Sequence, residues 1–263
     1  QIQPTHKKAN ISTKNALYFE LGTEWKRKKD PIIAQVVHRP VSFIFSSVFS
    51  EIGLTPNQVS FISLILAFAT CACFFTGSKV WYLVGAILMN IWSITDSADG
   101  NMARSLGGKP YGDFIDATSS YAMVGFLFPA LAFAVFNKGG TLIPAGSVSI
   151  VVIGAYTSIS DTMTRLFFQK MKSDSTEIQL KMVTEKKLTV NQILETKEKS
   201  AFMKLFTRVD AELSMGGWNL LAIILCVIFD CIDLYIIFYA LYYPSVFLVS
   251  TVYMIKQTGC LKK

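Results

Sequence analysis

The chain has 263 residues, of which 52% are hydrophobic and 16% are charged, and its formal net charge at pH 7 is +7. This composition is too apolar for an ordinary soluble domain and is typical of a protein that crosses the membrane several times. The positive charge does not indicate nucleic-acid binding, because no compact basic domain is present to carry it.

Residues 1–53 are predicted to be a cytosolic segment that ends in a helix lying on the membrane surface. Five apolar residues recur at helical spacing in this helix, while serines line another face: Val37, Val41, Ile44, Val48 and Ile52. Phe43 and Phe49 interrupt the apolar stripe, so a short soluble helix is the alternative interpretation.

Six apolar runs of about 20 residues are predicted to be membrane-spanning helices, because this length crosses the hydrocarbon core. The first five begin near Pro56, Val80, Phe114, Ala145 and Trp218, and the sixth covers Leu234 to Ile255. The six-span domain covers residues 54–255, with a polar cytosolic insertion at 172–204 between the fourth and fifth spans and a cytosolic tail at 256–263. The predicted fold is therefore an all-α integral membrane protein with six transmembrane helices, preceded by the surface helix.

The distribution of lysine and arginine predicts that both termini face the cytoplasm. In this orientation only Lys79 and Lys138 lie outside, and the other 23 of the 25 basic residues lie inside, as the positive-inside tendency requires. The turn at residues 230–233 also faces outward. Anionic lipid head groups on the cytoplasmic side then account for the net positive charge.

The stretch DSADGNMARSLGGKPYGDFIDATSSY, at the cytoplasmic junction of the second and third spans, carries four carboxylates. Asp96 and Asp99 are three residues apart and share a helical face, and Asp113, Asp116 and Ser120 share a face of the next helix. Acids at membrane depth cost about 2.5–3.5 kcal/mol each on insertion scales and repel one another, so the cluster indicates a bound cation. Ligands that are all oxygen favour magnesium, manganese or calcium over zinc.

Arg104 lies one helical turn beyond Asp99 and Gly100. A guanidinium in this position can hold a phosphate through two hydrogen bonds. Charges that merely end the spans are the alternative for any single acid, but the combination of clustered acids with an arginine favours a site for a metal and a phosphate.

The same stretch resembles the signature of the CDP-alcohol phosphotransferases, which is D-x2-D-G-x2-A-R, about eight residues, and then G-x3-D-x3-D. Seven residues fit this signature in order: Asp96, Asp99, Gly100, Ala103, Arg104, Gly112 and Asp116. The resemblance extends over most of the chain, because it includes the surface helix, the LTPNQVS start of the first span and the six spans.

The resemblance implies a transferase of substituted phosphate groups, in which an alcohol attacks the phosphorus of a CDP-linked donor, a phosphodiester forms and CMP is released. CDP-diacylglycerol is the expected donor, and inositol, glycerol phosphate, serine and choline-type compounds are acceptors in the family. It implies Mg²⁺, or Mn²⁺, as the cofactor and Asp96, Asp99 and Asp116 as its ligands. The residues implied to contact the nucleotide are Asn57, Asp96, Asp99, Gly100, Ala103 and Arg104. Homodimers are common in the family.

Two departures from the signature concern catalysis. The spacer after Arg104 has seven residues, and Ser120 stands where the family has the acid that deprotonates the acceptor. A serine hydroxyl cannot act as that base at pH 7. Either Asp113 takes the role from the same helical face, or a metal-bound hydroxyl needs little help, or the activity is weak or altered. Asp113, Asp116 and Ser120 are the candidate catalytic residues, and a non-catalytic or transport protein that binds nucleotide or metal is the alternative function.

Ionisable residues in the later spans suggest an acceptor site. Asp161 and Arg165 are four residues apart in the fourth span, and Arg208 precedes the fifth together with Asp210 and Glu212. Ionisable residues inside a membrane are functional candidates, and arginines that face the metal site would suit a phosphate-bearing acceptor. Arg165 and Arg208 are therefore predicted to bind the acceptor, with structural salt bridges as the alternative.

Overall fold

The computed structural model describes residues 30–106, 110–184 and 201–258, and its regular structure in these ranges is entirely helical. Eight α-helices follow one another in these ranges: α1 (Arg39–Glu51), α2 (Pro56–Phe75), α3 (Lys79–Leu106), α4 (Gly112–Lys138), α5 (Val148–Thr184), α6 (Ala201–Leu213), α7 (Asn219–Ile228) and α8 (Ile232–Thr258). A π-helical turn, Ala34–His38, runs directly into α1. The predicted all-α fold is confirmed. Most of the predicted N-terminal segment, residues 185–200 of the predicted insertion and the end of the tail lie outside the described residues.

Three of the described helices are long and apolar enough to cross a membrane, namely α2, α4 and residues Ile232–Lys256 of α8. α7 is apolar but has ten residues, so it extends about 15 Å, half of a hydrocarbon core of about 30 Å. α3 and α5 have 28 and 37 residues, but ionisable residues enter their sequences. These findings support membrane association, and the count of six spans stays a prediction.

The start of α2 is set by its local sequence. Thr55 is the N-cap residue and forms a capping box with Gln58, and Pro56 occupies the first turn. The Gln58 side chain accepts a hydrogen bond from the Thr55 backbone N–H at 2.8 Å. Such a cap satisfies N–H groups that a helix start leaves unpaired. The local sequence therefore sets the start of α2, and Asn57 and Ser60 share one face of its first turns.

The helices pack around a core in which α2 contacts α3 and α4, α4 contacts α5, and α5 contacts α8. α4 and α5 approach closely at Gly154, where an added Cβ would lie 2.6 Å from the Cβ of Ala132. Small residues permit such close helix packing in membranes. The close packing of α5 against α4 brings Arg165 into the same half of the bundle as Ser120.

α1 turns its serines toward the protein and its apolar side chains outward. Ser42 and Ser46 are buried, and Ser46 Oγ donates a hydrogen bond to the backbone oxygen of Ala98 in α3 at 3.1 Å. Ile44 and Val48 are exposed. A soluble helix would bury its apolar stripe against the core instead, so this arrangement supports the predicted surface helix over the soluble alternative.

The two lysines that were predicted to lie outside meet at one end of the bundle. Lys79 and Lys138 form ion pairs with Asp230 at 2.5 and 2.6 Å. Hydrogen bonds from Lys138 and Lys79 lower the pKa of Asp230 below its usual value. The next acid, Asp233, accepts hydrogen bonds from three consecutive backbone N–H groups that begin at Thr141. This end of the bundle is therefore held together by short polar contacts.

Candidate active site

Three aspartates converge where α3 meets α4. One carboxylate oxygen from each of Asp96, Asp99 and Asp116 lies within 4.8 Å of the other two. Asp99 is buried, and one carboxylate oxygen of Asp96 is buried without a hydrogen-bond partner in the described part of the chain. Because buried carboxylate oxygens require a donor or a cation, the donor set and the orphaned oxygen fit a divalent cation that prefers oxygen ligands.

Asp99 is oriented by α2. Ser60 Oγ donates a hydrogen bond to Asp99 Oδ2 at 2.5 Å, and both side chains are buried. Sequence reasoning did not single out Ser60. Its position three residues after Asn57 in LTPNQVS is the signal that could have identified it, because the two side chains share a helical face.

Arg104 lies in the last turn of α3, on the C-terminal side of Asp96 and Asp99. Its Nη2 donates a hydrogen bond to Asn101 Oδ1 at 2.6 Å, and Asn101 in turn donates to Ser42 Oγ of α1 at 2.9 Å. An added Cβ at Gly100 would lie 3.2 Å from Arg104 Nη1, so the glycine leaves room for the guanidinium. The surface helix thus braces a predicted nucleotide-binding residue through Asn101, which sequence reasoning missed.

Asn57 lies beside the α3–α4 connection. Its side-chain nitrogen is 3.5 Å from the backbone oxygen of Pro110, and an added Cβ at Gly112 would lie 3.4 Å from its Oδ1. Tyr111, which lies between Pro110 and Gly112 in the chain, has a positive φ of 61°. Ala103 is half-buried on α3. The residues that were predicted to contact the nucleotide therefore lie at the start of α2 and in the C-terminal part of α3.

A cavity of about 250 Å³ adjoins the acids. Asp96, Ser120 and Arg165 line it together with Trp92 and, from the N-terminal segment, Asp30. A cavity at which ionisable groups converge beside a cluster of carboxylates is a candidate ligand site. Three predicted site residues from three different helices, α3, α4 and α5, are thus brought to one cavity.

Asp113 and Ser120 occupy different surroundings on α4. Asp113 is exposed in the first turn and is not among the residues that line the cavity, whereas Ser120 is half-buried and lines it. The neighbouring Ser119 is buried and accepts hydrogen bonds from Trp92 Nε1 at 2.9 Å and from Ser63 Oγ at 2.8 Å. These bonds fix the rotation of α4 and therefore the direction of Ser120.

Arg165 reaches the cavity from α5. Its Nε donates a hydrogen bond to Asp161 Oδ1 at 3.0 Å, and the Asp161 side chain is 6% exposed. The other oxygen of Asp161 and the hydroxyl of Tyr243 are buried without hydrogen-bond partners in the described part of the chain. The pair with Asp161 holds the guanidinium in a partly buried position, where its remaining N–H groups can serve a ligand.

Arg208 does not line the cavity but supports one of its walls. It donates a hydrogen bond to the backbone oxygen of Asp30 at 2.9 Å and pairs with Glu212 at 2.6 Å. The Asp30 carboxylate pairs with Arg39 at 2.6 Å, and both residues line the cavity. Sequence reasoning missed Asp30 and Arg39, because nothing in the local sequence of Asp30 indicates a contact with Arg208, 178 positions later.

A sequence model of the CDP-alcohol phosphatidyltransferase family matches residues 53–197, which is more than half of the chain and includes every signature position. Comparison with curated proteins found no match. Proteins of this family transfer phospho-alcohol groups from CDP-alcohols and depend on divalent metal, and the cluster of three aspartates provides a place for such an ion. The chain therefore belongs to the CDP-alcohol phosphatidyltransferase family.

Proposed function

We propose that the protein is a membrane transferase that moves a phosphatidyl or other phospho-alcohol group from a CDP-linked donor to a hydroxyl acceptor and releases CMP. CDP-diacylglycerol is the proposed donor, and phospholipid or glycolipid synthesis is the proposed pathway. The observation that carries this proposal is the meeting of Asp96, Asp99 and Asp116 beside a polar cavity. The family match supports the same reaction class.

The three aspartates would hold Mg²⁺, or Mn²⁺, which when bound neutralises the diphosphate and stabilises the phosphate of the departing CMP. Arg104 would grip a donor phosphate, and Asn57, Gly100 and Ala103 would contact the nucleotide. In the reaction an oxygen–phosphorus bond forms to the acceptor, the bond from that phosphorus to CMP breaks, and the acceptor hydroxyl loses its proton. The protein's contribution is to place these groups and to balance their charge.

The cavity that Ser120 and Arg165 line is the proposed acceptor site. Arg165 supplies N–H donors to the cavity, while Arg208 acts through Asp30, which also lines it. Ser120 adds a neutral hydroxyl where the family has an acid, so the cavity holds one negative charge fewer. These features favour an acceptor that carries a phosphate.

The proposed function is tested by measuring CMP release from CDP-diacylglycerol with magnesium and a panel of neutral and phosphate-bearing alcohols. Arg165→Ala is expected to raise KM for phosphate-bearing acceptors about 10- to 100-fold, the range that corresponds to a charge-assisted hydrogen bond. Lys170→Ala is the matched control, because Lys170 lies on the same helix and pairs with Asp174 at the exposed surface.

The two parts of this test fail separately. No CMP release from any CDP-linked donor would contradict the transferase proposal. Normal CMP release with an unchanged KM in Arg165→Ala would contradict only the assignment of Arg165. The second candidate function is nucleotide or metal binding without catalysis, which Ser120 favours, and it would appear as magnesium-dependent CDP binding without turnover.

We further propose that the active site faces the cytoplasm and that both termini are cytoplasmic. The meeting of Lys79 and Lys138 at the end of the bundle away from the aspartates supports this orientation. A cysteine introduced beside Lys138 should react with an impermeant thiol reagent in intact cells, whereas one near Lys187 should not. The reverse labelling pattern would overturn the orientation. Homodimer formation stays a prediction from the resemblance alone.

A further inference from the structure

The turn between α7 and α8 brings two cysteines together. Asp230 has a positive φ of 55°, and the backbone N–H of Cys231 donates to the backbone oxygen of Cys226 at 2.9 Å. This bond is the 6→1 hydrogen bond of a Schellman motif, in which the side chains at the two bonded positions commonly make contact. Cys226 and Cys231 occupy these two positions.

Both cysteines are free and half-buried, one on each side of the turn. The other free pair among the described residues, Cys71 and Cys73, is buried in α2 and lies two residues apart, so those side chains point to different faces of one helix. The spatial arrangement therefore distinguishes Cys226 and Cys231 from the remaining described cysteines.

Contacts from other helices hold the turn in place. Lys79 Nζ donates to the backbone oxygen of Ile228 at 2.9 Å, and Lys79 and Lys138 both bind the Asp230 carboxylate. Asp233 anchors the start of α8 to the backbone that follows α4. Because the backbone between the two cysteines is held at both sides, little chain entropy remains to be lost when their sulfurs are joined.

We propose that Cys226 and Cys231 are a redox-active pair that closes to an intramolecular disulfide. A low-molecular-weight or protein disulfide is the oxidant. The thiolate of one cysteine attacks it, and one reduced thiol leaves as a mixed disulfide forms. The second cysteine gives its proton to water, attacks the sulfur of the first and releases the second reduced thiol. Two protein thiols are oxidised and one external disulfide is reduced.

The proposed orientation places this turn outside the cytoplasm, in a compartment where disulfides form and persist. Closure would link the end of α7 to the start of α8 covalently. The Schellman bond already joins the backbones of the same two residues, so it holds them near each other before closure. The pair lies at the end of the bundle away from the three aspartates, and its chemistry is independent of the proposed transfer reaction.

The test uses the full chain with Cys260→Ala, purified in detergent under reducing conditions and then incubated with oxidised glutathione. The protein is denatured and alkylated, and its intact mass and proteolytic peptides are measured. We expect the loss of two hydrogens and of two alkylation sites, located at Cys226 and Cys231. Cys226→Ala and Cys231→Ala should each abolish this loss, whereas Cys71→Ala should leave it unchanged.

Two results would overturn the proposal. One is full alkylation of both cysteines after oxidation, and the other is a glutathione adduct that persists on one cysteine without closing. The mass of the unsubstituted pair decides the question even if an alanine variant fails to fold. Because the experiment contains no CDP-linked donor, its outcome does not depend on whether the protein is a transferase.

Discussion

Asp99→Asn is expected to abolish the magnesium-dependent binding of CDP. Asp99 is the most buried of the three clustered aspartates, and Ser60 fixes the direction of its carboxylate. An amide has no charge to offer a divalent cation, and the loss of a metal's electrostatic contribution of several kcal/mol corresponds to a factor of about 10² or more. The measurement is calorimetric titration with CDP in the presence and absence of Mg²⁺.

The variant is also expected to fold. In the absence of metal the three carboxylates repel one another, and removing one charge from the cluster lowers that repulsion. Its thermal unfolding temperature in metal-free detergent solution should therefore equal or exceed that of the unsubstituted protein. Asp174→Asn, at an exposed position on α5, is the control for a general effect of losing an acid. Unchanged magnesium-dependent affinity in Asp99→Asn would refute the metal assignment.

Asp113→Asn is expected to reduce turnover by about 10²–10⁴-fold, the contribution of a general base, while donor binding stays nearly intact. This prediction follows from Ser120, whose hydroxyl cannot accept the acceptor's proton, and from the position of Asp113 on the same helix. The structure places Asp113 in the exposed first turn of α4, outside the cavity lining and about two turns from Ser120, so the base role of Asp113 stays a prediction from the sequence. Steady-state CMP release and CDP affinity would be measured for the same preparations.

Ser120 provides the matched variants. Ser120→Ala should have a mild effect if Asp113 is the base. Ser120→Asp should raise turnover if the family's geometry persists and only the acid is missing, although the new carboxylate would share the cavity with Asp96 and Arg165 and could disturb metal binding. Full turnover in Asp113→Asn would show that the base is elsewhere, with Asp161 or activation of the hydroxyl by metal as the remaining options.

Local sequence was sufficient for much of the site. Asp96 and Asp99 were predicted to share a face because helical spacing depends on neighbouring residues alone, and the apolar run that begins near Pro56 predicted the start of α2. The same local information predicted six spans, of which three described helices meet the requirements of length and apolarity. The other predicted spans fall short because α3 and α5 carry polar and ionisable residues and α7 has ten residues.

What the sequence determined by itself was the helical class, the membrane setting and the residues able to hold a metal and a phosphate, because spacing and composition are local quantities. Only the tertiary structure decided which distant groups complete the site. Ser60 reaches Asp99, Ser42 supports Arg104 through Asn101, and Asp30 meets Arg208. These pairs are separated by tens to hundreds of residues, so no helical period relates them. They meet because buried polar groups must find hydrogen-bond partners when the helices pack.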